Sequence, residues 1–470
     1  MKITVRNLGV LDQADIDLKP LTVLVGPNNA GKTWLAYTIA SVLGPYGWGQ
    51  YTSAYLSGKV QDSYLLLDEA IDRVLEGGDA HVNLLQFLDQ YGETYVNNVA
   101  AFAKVWMRDY LRTALVNFEN LEVHIRLEEA KEEARKAILQ YSLDRKFGVG
   151  RGKRSPLLNV LKEAGKPDLY IYTSAEGNKV QQSPRRAIKE FLATNTFEVF
   201  RRALFSDKPI FPTERTTYIT YPFDIEEAEP EEVLTDARPL NQRRVRILSG
   251  PISTFLSMIH TTYQMSLLEK KEREEEGSHD KTIGAYIHFS RVLEDIIGGD
   301  ILFSNPEPGT LREIIFQAKN SVALEIPIAS SMVKELSSLV LYLRYLSEPG
   351  DWLIIDEPEM NLHPEAQAKI IEFLAILANS GLRVLFTTHS PYMLDHLENL
   401  MKAAEYVEED QKAIAQEFFL QRPDAFISQE HVSVYLVDNK KTENILEDGK
   451  INWGTFGDVT DRVAKIHYQL

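Results

Sequence analysis

Eight residues near the start of this chain leave it few folds to choose from. Gly26-Pro27-Asn28-Asn29-Ala30-Gly31-Lys32-Thr33 fits G-x-x-x-x-G-K-[ST], and it follows an apolar strand, Leu21–Val25. A helix is expected directly after it, from Lys32 to Leu43, stopped by Gly44-Pro45. The glycines let successive backbone N–H groups curl round a phosphate, and the helix turns its positive end toward that phosphate. Lys32 is then placed to reach the β- and γ-phosphates of a nucleotide, and Thr33 to ligate Mg²⁺. Strand, loop and helix in this order belong to α/β proteins with the loop at the carboxyl edge of a sheet.

The partners of such a loop lie far downstream. Trp352-Leu353-Ile354-Ile355 is a buried strand that delivers Asp356 to hydrated Mg²⁺, and Glu357 follows where it can polarise an attacking water. An apolar run closed by two acids is common on its own; beside a phosphate loop it reads as the second half of one site. Arg383–Thr387 is another apolar strand, expected to neighbour the first, so His389 at its tip reaches toward the γ-phosphate. Ser330 and Ser331 open a helix expected over Met332–Leu346. Serine is a favoured N-cap, and Glu335 is expected to complete the cap; a capped helix start also binds anions, so both readings are compatible.

Between these halves the pattern changes. Segments over Tyr64–Val74, Val82–Leu88, Val96–Val116, Leu127–Leu139 and Ala187–Leu204 read as helices, with little strand-like alternation between residues 53 and 204. Phe211–Thr220 reads as a short strand. Alternation returns at Ile301–Phe303, Glu313–Ala318 and Val322–Ile328, and the chain closes with a strand at Val432–Val437 and an amphipathic helix at Val459–Tyr468. The expected organisation is a split core: residues 1–60 with the phosphate loop, a helical insertion at 61–205, a return strand at 206–225, a second helical arm at 226–299, the second core half at 300–400, and a core extension at 401–470. The 470 residues include no cysteine, which excludes disulfides, Cys-ligated metal and thiol catalysis and fits a reducing cytoplasm. No apolar run of about 18 residues is present, so no membrane association is expected.

Taken together, these motifs resemble the SMC/RecF/OLD branch of ABC-type ATPases, often labelled "AAA family ATPase" or "AAA domain". The resemblance rests on NLG…DIDLKPLTVLVGPNNAGKT, on IIDEPEMNLHP as Walker B and D-loop (Asn361, Leu362, His363), on FTTHSPYML as H-loop, and on PIASSMVKEL in the signature position; FPTERT is similar to a P-x-E-R element of OLD-like ATPases. Signature, acidic pair and His389 follow one another between residues 330 and 389, an order foreign to AAA+ unfoldases and RecA-type motors. The resemblance implies a P-loop NTPase fold, an ABC-type ATPase head with a mixed sheet and helical or short coiled-coil insertions. It also implies ATP and Mg²⁺ as ligands, catalysis by Glu357, His389 and Lys32, and a homodimer or higher homo-oligomer in which Ser330 and Ser331 of one copy close on ATP held by the other. Met332 stands where the branch usually has glycine, which bears on how closely that backbone approaches the γ-phosphate. Full OLD proteins add a Toprim nuclease; no D-x-D follows residue 400, so no nuclease is expected in this chain.

The formal net charge of −17 disfavours indiscriminate nucleic-acid binding, since counterion release needs Lys and Arg. The glycine-rich loop holding Arg151, Lys153 and Arg154 is the leading candidate for contact with DNA or RNA, weighed against an ordinary solvated loop. An ATPase core lacking its own effector resembles the ATPase subunits of anti-phage systems such as Septu, PARIS and retron-associated ATPases. The role expected from this is regulation of a separately encoded effector, a nuclease. The alternative is a RecF/SMC-like repair ATPase that binds DNA as an ATP-bound dimer.

Overall fold

The computed structural model describes residues 1–76, 79–147, 158–173, 185–204, 209–222, 248–304, 313–319, 322–453 and 465–466. The basic loop of Arg151, Lys153 and Arg154 and nearly all of the C-terminal helix expected at Val459–Tyr468 lie outside these residues. The chain is mixed α/β and divides into two compact units, one of residues 1–7, 39–106 and 118–207, the other of residues 8–38, 107–117 and 208–470. Among the described residues no helix is long and apolar enough to cross a membrane.

The larger unit is organised by one mixed sheet. Its strands run in the order Leu11–Asp17, Lys441–Asn444, Val432–Asp438, Leu21–Val25, Arg383–Thr388, Trp352–Asp356 and Ile210–Phe211. Leu21–Val25 pairs in parallel with both Arg383–Thr388 and Val432–Asp438, and Trp352–Asp356 pairs in parallel with Arg383–Thr388 and Ile210–Phe211. Every residue of Leu21–Val25 and of Trp352–Asp356 is buried. That explains why both read as unbroken apolar runs: a parallel strand covered on both faces has no solvent side to alternate with. The hairpin between Val432–Asp438 and Lys441–Asn444 turns at Asn439 and Lys440, both with positive φ (46° and 67°), the backbone that a two-residue turn needs to match strand twist.

Helices Ser331–Tyr345 and Pro364–Asn379 contribute Leu336, Val340, Leu343, Ile371, Phe373 and Leu374 to the core around this sheet. The second begins at His363, whose Nδ1 accepts a hydrogen bond from the Glu365 N–H, with Pro364 at the first helical position where no N–H is needed. Helices Gly250–Gln264, Leu267–His279 and Lys281–Ile297 occupy the region expected to form the second arm. The alternating segments after residue 298 make a separate three-stranded antiparallel sheet, Gly299–Phe303, Ile314–Ala318 and Ala323–Glu325.

Two sequence expectations fail in this unit. The strand expected over Phe211–Thr220 ends at Phe211, and Arg215–Thr220 is a helix. Pro212 has no N–H to continue the ladder, and Arg215 and Ile219, four residues apart and both buried, fix the helix through packing against β-branched propensity. Glu335 does not complete the Ser330 cap. The Ser330 hydroxyl accepts from the Val333 N–H, and Glu335 lies two residues beyond the position from which a side chain reaches back.

The smaller unit corrects the expectation of a mainly helical insertion. It does contain helices Leu65–Leu75, Leu84–Ala101, Ala130–Gln140 and Arg185–Leu204, the last two close to their expected bounds. It also contains a four-stranded antiparallel sheet in the order Ala80–Asn83, Asp168–Thr173, Leu158–Lys162 and Leu143–Phe147, and a further strand, Glu122–Arg126, paired with Lys2–Leu8. Leu158, Val160, Leu169 and Ile171 are buried at alternate positions across the turn at Gly165, whose φ is +82°. Its core is aromatic: Tyr51, Tyr64, Tyr95 and Phe197 pack together, Phe87 stacks on Phe200, and the Tyr51 and Tyr64 hydroxyls share a hydrogen bond of 2.6 Å.

Candidate nucleotide-binding site

The parallel register of three strands builds the site. Val25 faces Thr388 across one strand pair and Thr387 faces Asp356 across the next, so the phosphate loop, the Asp356–Glu357 step and His389 leave the sheet at one edge. They line a cleft of about 1180 Å³ that includes Pro27, Asn28, Asn29, Gly31, Lys32, Thr33, Asp356, Glu357 and His389. Gly26 ends the strand and Ala30 sits within the loop; Val10, Trp34, Thr213 and Met360 complete the lining.

Gly26 has φ +151°, and a Cβ there would run into the Val437 carbonyl oxygen of the neighbouring strand. Gly26→Ala is therefore expected to cost on the order of 1–3 kcal/mol. A fall in melting temperature together with weaker nucleotide binding checks it; an alanine variant unchanged in both would contradict the close approach.

Lys32 opens the helix after the loop and folds back, its Nζ donating to the carbonyls of Gly26 (3.0 Å) and Pro27 (2.9 Å). Burial lowers its pKa, opposed by the negative charges of Glu357, Asp356 and Glu359. Asp356 is the acceptor of a dense set of hydroxyls: Thr33 donates to both carboxylate oxygens (3.0 and 3.1 Å), Tyr37 donates at 3.2 Å, and Thr387 donates to Oδ1. Burial pushes the Asp356 carboxyl up, and the Thr387, Thr33 and Tyr37 hydrogen bonds oppose this by favouring its charge. A buried carboxylate whose oxygens touch the Thr33 hydroxyl is a hard-oxygen donor pair that fits Mg²⁺, which takes one or two carboxylates and completes its octahedron from phosphates and water.

Glu357 sits at the tip of the strand with φ +50°, its N–H held by the Thr387 hydroxyl at 3.1 Å. Its Oε1 lies 3.0 Å from His389 Nε2, and both side chains remain partly open to the cleft. The His389 hydrogen bond holds the Glu357 carboxyl below its ordinary value despite partial burial.

Three residues of the site were not assigned roles from sequence. Glu359 is buried, and its Oε1 accepts from the Thr388 hydroxyl and the His389 N–H, both at 2.7 Å. Burial raises its pKa, and among the described residues Oε2 has no hydrogen-bond partner. It stands two residues after Glu357 in IIDEPEM, where a third acid is the only available signal. Thr213 and Arg215 come from FPTERT. Thr213 lines the cleft, and the Arg215 guanidinium lies beneath it, bonded to the Asp356 and Glu357 carbonyl oxygens.

The remaining candidates fall elsewhere. Ser330 and Ser331 are exposed at the start of their helix and do not line the cleft. Asn361 has φ +59° and donates to Glu335, Leu362 is buried, and His363 caps the following helix.

The mixed sheet, with the phosphate loop at its edge and the acidic step beside it, is a mixed α/β fold of the P-loop kind. Residues 198–395 match the sequence family described as "AAA domain, putative AbiEii toxin, Type IV TA system". That span contains Arg215, Ser330, Asp356, Glu357 and His389, while Lys32 precedes it. No curated protein sequence matches the chain. Among solved structures the chain is similar to three SMC heads. A head bound to the C-terminal winged-helix domain of ScpA has 10% identity and TM-score 0.36, over 94% of this chain and 96% of that one. A head with an extended coiled coil bound to the C-terminal domain of ScpA, from Pyrococcus furiosus, has 10% identity and TM-score 0.36, over 99% and 98%. The SMC head domain of Thermotoga maritima has 9% identity and TM-score 0.30, over 95% and 98%.

Proposed function

We propose that this chain binds and hydrolyses ATP, that two copies close head to tail over their nucleotides, and that the closed state governs a separately encoded effector, a nuclease, in a bacterial anti-phage defence system. The observation that carries the ATPase reading is the convergence of Lys32, Thr33, Asp356, Glu357 and His389 on one cleft, with Thr33 and Asp356 in contact across 323 residues of sequence. The loop N–H groups cradle the phosphates, and Lys32 exchanges its own-loop carbonyls for the β- and γ-phosphate oxygens. Thr33 and Asp356 would hold Mg²⁺, whose charge would offset that developing on the phosphates. Glu357 orients the attacking water and takes its proton on a carboxylate oxygen. The water oxygen then bonds to the γ-phosphorus, and the bond to ADP breaks. His389 keeps Glu357 aimed and ionised.

The dimer is supported by the exposed Ser330–Ser331 helix start, which offers N–H groups and hydroxyls to an anion but stands outside its own chain's cleft; Ile328 beside it is 66% exposed. The family description, a toxin of a paired-gene system, supports a regulatory role with a partner gene. Calorimetry with Mg²⁺-ATP and a phosphate-release assay test the first layer. Phage plaquing on cells carrying the intact locus tests the second: plaquing equal to that on cells with an inactivated locus would overturn it.

A second reading, an ATP-dependent DNA-binding ATPase of the RecF/SMC kind, is favoured by one surface of the smaller unit. On its paired strands Lys2 faces Arg126, Thr4 faces His124 and Arg6 faces Glu122, and Lys104 joins Arg6, His124 and Arg126 around a hollow of about 480 Å³. Like charges opposite each other on a ladder are destabilising, and Lys2 is neutralised in part by Glu128 at 3.2 Å. On this reading, charge reversal of Arg6, Lys104 and Arg126 together lowers affinity for duplex DNA and flattens its salt dependence by about one unit of slope per lost phosphate contact. Equal binding by the reversed protein excludes this face.

A further inference from the structure

Arg215 is 2% exposed and uses most of its donors within one small region. Its Nε lies 2.7 Å from Glu335 Oε2, a carboxylate with no exposed surface. Its Nη1 donates to the carbonyls of Pro212 (3.0 Å) and Asp356 (2.7 Å), and its Nη2 to the carbonyl of Glu357 (2.8 Å). The other oxygen of Glu335 accepts from the Asn361 side-chain amide at 3.0 Å. One guanidinium therefore joins the strand end that bears the two site carboxylates, the helix opened by Ser330 and Ser331, and the loop of Asn361.

Stability alone does not account for this arrangement. Burying an ion pair is at best weakly stabilising compared with apolar side chains of the same volume. What a planar, five-donor fork supplies is direction. Glu357 and Asn361 both hold left-handed backbone without being glycine. Such backbone persists only where its surroundings over-determine it. Arg215 grips the Glu357 carbonyl directly and reaches Asn361 through Glu335.

We propose that Arg215 is a positioning residue: with Glu335 and Asn361 it fixes the orientation of Glu357 and links that orientation to the helix carrying Ser330 and Ser331. This rests on the ATPase reading above. A displacement of that helix start is then felt at Glu357 in the same copy, which gives dimer closure a route to hydrolysis.

Two variants test it. Arg215→Lys keeps the charge and loses the fork; ATP affinity is expected to stay within about threefold of wild type, while turnover falls about 10²-fold through misplacement of Glu357. The double variant Arg215→Leu with Glu335→Leu replaces the pair by apolar side chains, and its melting temperature is expected near wild type without recovery of turnover. A purely structural pair predicts the reverse, turnover restored along with stability. Wild-type turnover in either variant, or loss of ATP binding in step with turnover in Arg215→Lys, overturns the inference. If wild-type protein itself fails to hydrolyse ATP, the ATPase reading falls and this inference with it; active wild type beside an unimpaired Arg215→Lys sinks the inference alone.

Discussion

Lys32→Ala is expected to weaken Mg²⁺-ATP binding by about 10²-fold. The ammonium lies at the base of the cleft, held by two loop carbonyls and surrounded by Glu357, Asp356 and Glu359. On binding, triphosphate oxygens replace those carbonyls. A hydrogen bond from a charged donor contributes about 1.5–3 kcal/mol, and the lost cation also leaves the Asp356 and Glu357 carboxylates that line the cleft without its counter-charge. About 3 kcal/mol is a factor of about 10² in dissociation constant. Titration with a fluorescent nucleotide in the presence of Mg²⁺ measures it, and unaltered affinity would remove Lys32 from the site. Melting temperature should fall modestly, because the buried Gly26 carbonyl loses its hydrogen bond to Lys32.

Glu357→Gln should separate binding from turnover. The amide keeps the size of the side chain and can still meet His389, but it cannot accept the water's proton. A positioned base contributes roughly 10²–10⁴ in rate, so turnover falls by that amount while nucleotide affinity is retained. In the head-to-tail arrangement proposed above, hydrolysis is expected to reopen the pair. The variant with Mg²⁺-ATP should therefore scatter light at twice the monomer mass, and without nucleotide it should not. A monomer indifferent to ATP would refute the dimer, even if turnover were lost as expected.

What the sequence made legible follows the range of the interactions involved. The phosphate loop, the acidic step and the His389 tip are each encoded within a few neighbouring residues, and strand pairing then places them together. Boundaries of the buried strands were equally readable, since Leu21–Val25 is apolar but for Thr22 and Trp352–Ile355 is apolar up to the acidic step at Asp356. Residues whose meaning depends on a distant partner were not readable. Arg215 and Glu335, 120 positions apart, form an ion pair that no local pattern announces. TTYIT reads as strand by propensity, yet packing of Arg215 and Ile219 makes it helix. The four short strands of the smaller unit were missed because helices on either side dominate the periodicity, although the alternation in LNVL and LYIY around Gly165 was there to be seen.

The strand Leu21–Val25 obtains both of its neighbours late, from residues 383–388 and 432–438. At synthesis rates of about 5–20 residues per second, the second neighbour leaves the ribosome roughly 20–80 seconds after the first strand does. Until residues 383–388 emerge, a five-residue segment rich in β-formers and without charge has neither edge covered, and one edge stays open for the rest of that interval, which is the profile of a self-associating segment. Yield of this protein in cells should therefore depend on chaperone capacity and on translation speed past residue 380, independently of how stable the finished molecule is.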